Sequence, residues 1–91
     1  MNKKIFFLIP LLLAGCSATQ GGRASCASEL DSAWQELDLA KAEGFAGTVS
    51  YTKAVGLLSL AKGQQTIERY DSCLEKAQRA RFYIAQSRQG Q

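Results

Sequence analysis

The sequence predicts an all-α fold: a small three-helix domain, built as a staggered helical hairpin plus one helix, after a signal peptide and a flexible tether. Two observations carry that expectation. Apolar residues recur at spacings of three and four over three separate stretches, which is the period of a helix that buries one face. No stretch alternates as a half-buried strand would, and the single proline, Pro10, lies in the leader, so nothing kinks the later helices.

The amino terminus comes first. Lys3 and Lys4 precede an apolar run over residues 5–13. As a helix that run would span about 13 Å, against roughly 30 Å of bilayer hydrocarbon, so it is too short for a stable transmembrane span. A positive start, a short apolar run and then small residues is the plan of a cleavable secretory signal. The run ends in Leu13-Ala14-Gly15-Cys16. At every position this resembles the lipobox of bacterial lipoproteins. The resemblance implies that the Cys16 thiol receives a diacylglycerol, that a dedicated peptidase cuts before Cys16, and that the new amino group is then acylated. Residues 1–15 would leave, and membrane lipid would be the first partner of the chain. Each buried CH₂ adds about 0.8 kcal/mol, so three acyl chains would hold the protein on a membrane essentially permanently. Lipoproteins kept at the inner membrane often carry Asp after the cysteine; this chain has Ser17. By the same resemblance the expected location is the cell envelope, at the outer membrane and facing the periplasm.

Residues 16–25 are expected as a lipidated N-terminus and tether, because the segment after Cys16 is small, polar and glycine-containing. Residues 26–91 are expected as the helical domain. Its first helix should run over about residues 27–43, with Ser25 or Ser28 as cap and Glu29 and Asp31 in the first turn, where the helix dipole favours anions. Cys26, Leu30, Ala33, Leu37 and Ala40 form its stripe, with Trp34 beside them. Gly44-Phe45-Ala46-Gly47 breaks it. The second helix, about residues 49–62, is capped by Thr48 or Ser50, carries Tyr51, Ala54, Val55, Leu58 and Ala61, and is expected to stop at a left-handed Gly63. The third, about residues 65–87, carries Tyr70, Cys73, Ala77, Ala80 and Ile84, with Ile67 and Leu74 adjacent. Alanines at six stripe positions imply close helix approach. In Tyr51-x-x-Ala54 through Ala61, and then Tyr70-x-x-Cys73-x-x-x-Ala77-x-x-Ala80-Arg81, the chain resembles a family of small alanine-rich envelope lipoproteins of unknown function. It shares helical-pair architecture, but not the residue signature, with tetratricopeptide repeats.

Without the leader the chain has roughly 76 residues, and below about 80 a core alone seldom supplies more than ~3–5 kcal/mol, so a staple is expected. Cys26 and Cys73 are the two thiols left once Cys16 carries lipid. In an exported domain they imply a disulfide, which closes a loop of about 48 residues and is worth roughly 4 kcal/mol. Helix lengths raise a difficulty. With the boundaries above, Cys73 would sit about 19 Å above Cys26, whereas bridged α-carbons lie within about 7 Å. Either the 44–47 loop climbs and staggers the helices, or the Cys26 segment folds back.

The domain is acidic early, at Glu29, Asp31, Glu36, Asp38 and Glu43, and basic late, at Lys76, Arg79, Arg81 and Arg88. Once Lys3 and Lys4 are set aside the charges nearly balance, so no nucleic-acid partner is expected. The basic stretch, interleaved with Phe82 and Tyr83, is the candidate binding surface for anionic headgroups, lipopolysaccharide phosphates or an acidic protein. Cations near a helix C-terminus also answer its dipole. No catalytic, metal or cofactor site is expected. There is no histidine. Ser50-Tyr51-Thr52-Lys53 matches the Ser-x-x-Lys signature of penicillin-binding enzymes, but those need a far larger fold and further motifs. The acidic residues fall around their helix rather than on one short face. The expected function is a non-enzymatic, membrane-anchored periplasmic lipoprotein acting as a binding or scaffold module for another envelope protein. The alternative is a structural lipoprotein contacting peptidoglycan or lipopolysaccharide directly.

Overall fold

The computed structural model describes the backbone from Asn2 to Gln91 and the side chains from Gly22 onward. Three helices follow one another: α1 (Asn2–Ala42), α2 (Val49–Thr66) and α3 (Tyr70–Ser87). No strand occurs among the described residues. The α1 and α3 helices run parallel, with α2 antiparallel to both. The most extensive interface lies between α2 and α3, and α1 meets α3 far more than it meets α2.

Each predicted stripe faces the core. Cys26, Leu30, Ala33, Leu37 and Ala40 of α1 are buried, as are Ala54, Leu58 and Ala61 of α2 and Cys73, Ala77, Ala80 and Ile84 of α3. The six stripe alanines are fully buried. With only a methyl group at each of these positions the helix axes can approach closely, and Leu58 and Ile84 are the largest side chains wholly enclosed in the interior. Buried polar groups are satisfied internally. Ser50 Oγ donates to Gln86 Oε1 at 3.2 Å, and Ser87 Oγ donates to the Ile84 carbonyl at 2.7 Å.

Thr48 caps α2. It stands in extended conformation and its hydroxyl accepts the Tyr51 N–H at 3.1 Å, satisfying a donor that has no partner inside the helix. Ser50, the alternative cap, lies inside the helix instead.

Cys26 and Cys73 form a disulfide with α-carbons 5.6 Å apart. Neither a climbing loop nor a fold-back brings them level. Instead, Gly63 does not end α2, which continues to Thr66, and α3 starts at Tyr70 rather than near residue 65. At 1.5 Å per residue, α1 rises about 24 Å from Cys26 to its end and α2 descends about 27 Å, so Cys73 re-enters near the level of Cys26. Gly63 is tolerated within the helix at a propensity cost of ~1 kcal/mol relative to Ala. Ile67, expected beside the third stripe, falls in the turn and is exposed.

All three helices end alike. In each, one residue takes a left-handed conformation and two N–H groups fold back onto the last turn, satisfying carbonyls that would otherwise be orphaned. After α1, Gly44 (φ 94°) donates to the Lys41 carbonyl and Phe45 to that of Ala40. After α3, Gly90 (φ 84°) donates to Ser87 and Gln91 to Gln86. After α2 the same pair of bonds runs from Glu68 to Gln65 and from Arg69 to Gln64, but the left-handed residue is Glu68 (φ 63°).

Residues 22–25 correct the sequence reading in another respect. They were expected in a flexible tether, yet they are helical within α1. No proline interrupts the segment, and Gly22 packs close to the start of α3, where a Cβ would lie 3.7 Å from that of Tyr70. The residues expected to form a lipobox, Leu13, Ala14, Gly15 and Cys16, lie outside the described side chains.

Two stability changes follow. Glu68→Gly relieves a side chain held in the left-handed region and, after allowing for glycine's extra freedom in the unfolded chain, should raise stability by about 0.5–1 kcal/mol in urea unfolding. Reduction of Cys26–Cys73 should lower stability by roughly 4 kcal/mol, because the bond closes a loop between residues separated by 47 positions. An unchanged melting temperature after reduction would contradict that role.

Candidate functional site

The parallel seam between α1 and α3 gathers the charges that the sequence places far apart. Partners along it differ by nearly constant separations, Cys26 with Cys73, Glu36 with Arg81 and Glu43 with Arg88. Seven residues, or about two helical turns, apart on α1, the glutamates Glu29 and Glu36 are turned toward the same side of α3. Arg81 reaches between them. Its Nη2 and Nε donate to the two oxygens of Glu36 at 2.7 and 3.1 Å, and its Nη1 donates to both oxygens of Glu29 at 3.1 Å. The planar guanidinium thus forks onto one carboxylate and bridges to a second. All three side chains are partly buried, and the hydrogen bonds to Glu36 and then Glu29 hold Arg81 still more firmly protonated than an ordinary arginine. Farther along, Arg88 forks onto Glu43 with contacts of 2.7 and 2.9 Å. Its hydrogen bonds hold the Glu43 carboxyl below the usual carboxylate range, and Glu43 raises Arg88 in turn.

This geometry divides the candidate basic surface. Arg81 and Arg88 are engaged inside the domain with the acidic helix. Lys76 and Arg79 are not directed to α1. Both lie 3.6 Å from the exposed Glu75, and Lys76 also donates to Ser72 Oγ at 3.2 Å. They stand on the side of α3 that borders α2, where Lys53 Nζ lies 5.3 Å from the centroid of the Tyr83 ring and Phe82 packs edge-on against Tyr83.

The Ser-x-x-Lys pattern does not form a nucleophile and base. Ser50 is buried against Gln86, while Lys53 lies over Tyr83. Among the described residues no group of three or more His, Cys, Asp or Glu side chains could hold a metal ion, and no helix is long and apolar enough to cross a membrane.

One of the clefts on the domain surface lies between α1 and α2. It has a volume of about 310 Å³ and is lined by Ala27, Leu30, Asp31, Trp34, Lys62 and Gln65. Trp34, which stands beside the buried stripe, is 40% exposed. The signal that could have placed it was its offset of one position from the Ala33–Leu37 stripe: 100° of rotation carries it to the rim. Leu39 on the same helix is exposed as well, and Asp31 and Asp38 keep this face acidic.

The site and fold define a disulfide-bonded, all-α three-helix domain with an acidic, tryptophan-bearing face on α1 and a cation-linked seam behind it. Comparison with protein-family models, with curated proteins and with solved structures finds no match to this chain.

Removal of one arginine should separate the two kinds of cation. Arg81→Gln leaves two half-buried carboxylates facing one another and should cost about 1–2 kcal/mol, between the values typical of exposed and buried pairs. Arg79→Gln, on an exposed pair, should change stability by less than about 0.5 kcal/mol. Urea unfolding of the two variants checks the difference; equal effects would deny the bridging arginine its role.

Proposed function

We propose that this chain is a membrane-anchored lipoprotein of the outer membrane, facing the periplasm, whose helical domain is a non-enzymatic binding or scaffold module for another envelope protein. The observation that carries the reading is the Cys26–Cys73 disulfide standing behind Leu13-Ala14-Gly15-Cys16. A structural disulfide persists in oxidising compartments, which agrees with export, and it uses both cysteines other than the one in the lipobox-like motif. Lipidation of Cys16 would then fix the domain at a membrane surface with its helices free to meet a partner.

The α1 face is the surface best suited to a protein. Trp34 offers a large, half-exposed apolar side chain at the rim of a cleft, ringed by Asp31, Lys62 and Gln65. A partly buried tryptophan inside a polar rim is the usual make-up of an interface anchor. An occupant with an apolar side chain for the cleft and a cation for Asp31 or Asp38 would match it.

The experiment is crosslinking in intact cells grown with a labelled fatty acid. The wild-type chain should acquire label and crosslink to an envelope protein. Cys16→Ser should lose the label. Trp34→Ala should keep it and lose most of the crosslink, while its helix content stays that of the wild-type chain. A Cys16→Ser chain that still acquires label would refute the anchor, and recovery of the protein on the sacculus instead of on protein would refute the adaptor.

A further inference from the structure

The arginines of the chain divide by whether a carboxylate of the domain engages them. Arg79, Arg81 and Arg88 each meet one. Arg23 and Arg69, the remaining two, meet none among the described residues. Both line the same groove, about 1010 Å³ in volume, together with Ala24, Tyr70, Glu68 and Asp71. Glu68 and Asp71 also make no ion pair among the described residues. The groove therefore presents two guanidinium groups and two carboxylates, all exposed. Its place in the fold matters as much as its lining. The α1 and α3 helices run parallel and stand level at Cys26–Cys73, so the end of α2, the following turn and the start of α3 lie at the end of the domain that leads back to Cys16. From Cys16 to Gly22 the chain can span at most about 20 Å, at roughly 3.3–3.6 Å per residue. Ile67, more than half exposed, stands in the same turn.

A phosphate accepts hydrogen bonds from guanidinium groups, and a primary ammonium donates them to carboxylates. A groove that offers both charges in equal number suits a ligand that carries both, and Ala24 and Tyr70 give the uncharged part of such a ligand a surface. We propose that this groove binds the zwitterionic headgroup of a membrane phospholipid, with Arg23 and Arg69 on the phosphate and Glu68 and Asp71 on a primary ammonium. A purely anionic headgroup would satisfy the arginines and leave both carboxylates without a partner. A quaternary ammonium has no N–H to give them. The proposal rests on the reading of Cys16 as lipidated, and it adds a second point of attachment to that anchor. The anchor keeps the groove among headgroups at high effective concentration, so a site of modest affinity is filled.

Native mass spectrometry of the full chain, released from mixed micelles of phosphatidylethanolamine, phosphatidylcholine and phosphatidylglycerol in equal amounts, tests the site. It reads which lipid the protein retains and, from the protein's own mass, whether Cys16 carries acyl chains. Phosphatidylethanolamine should be retained at least about threefold over either of the others. Arg23→Gln/Arg69→Gln should lower that retention at least about threefold, and Arg23→Lys/Arg69→Lys, which keeps the charge without the planar fork, should fall between. Glu68→Gln/Asp71→Asn should shift the preference toward phosphatidylglycerol. Arg79→Gln, whose ion pair with Glu75 lies outside the groove, should change nothing. All of these positions are exposed, and helix content by circular dichroism checks that each variant folds. Equal retention of the three lipids by an acylated chain would overturn this inference and leave the anchor standing, as would a wild-type preference for phosphatidylglycerol. Displacement of the lipid by an equal concentration of soluble phosphoethanolamine would assign the groove to a free ligand and overturn the membrane as its source. A chain whose mass shows no acylation would overturn the anchor, and this inference with it.

Discussion

The arrangement depends on how α1 is held. The α2 and α3 helices are joined by a tight turn and share the broadest interface, so they form a hairpin that the short connection itself favours. The α1 helix has less contact with α2 and is kept in place mainly by α3. Three devices do this along one parallel seam: the Cys26–Cys73 bond near the base, the close approach allowed by Ala33, Ala40, Ala77 and Ala80, and the arginine forks of Arg81 and Arg88. With a small-residue interior the apolar area available is limited, and directional links take a larger share of the work of fixing register. The open cleft at Trp34 is a result of the same economy: a helix held from one side leaves its other side available.

Most of the fold was legible in the sequence because burial and the helical period speak directly. Every alanine of the three stripes lies where the spacing put it, and Thr48 caps α2 as one of two expected candidates. The boundary between α2 and α3 was not legible. Glycine reads as a stop, yet Gly63 sits within the helix, and the left-handed position falls on Glu68, a residue with no compositional signal for it. That shift of one helical turn is what made the disulfide look geometrically difficult.

The candidate site was legible in part. The polarity between acidic and basic halves is visible in the chain, but whether the halves answer each other or face outward depends on the parallel register of α1 and α3. Partners of Arg81 are 45 and 52 positions away, far beyond any local pattern. Once the register exists, Arg81 and Arg88 belong to the seam, while Arg79 and Lys76 stay on the α2 side with Lys53. The Ser50–Lys53 spacing, conversely, was legible but empty of chemistry, since the two side chains point to different neighbours.

The parallel pairing of α1 with α3 also fixes an order of events. Contacts between residues 45 or more positions apart demand that a long intervening segment be closed first, whereas the α2–α3 turn closes over a handful of residues. The hairpin is therefore the natural nucleus, and α1 docks onto it afterwards. Until the two thiols are oxidised that docking is reversible. Oxidation afterwards converts a readily undone arrangement into a lasting one.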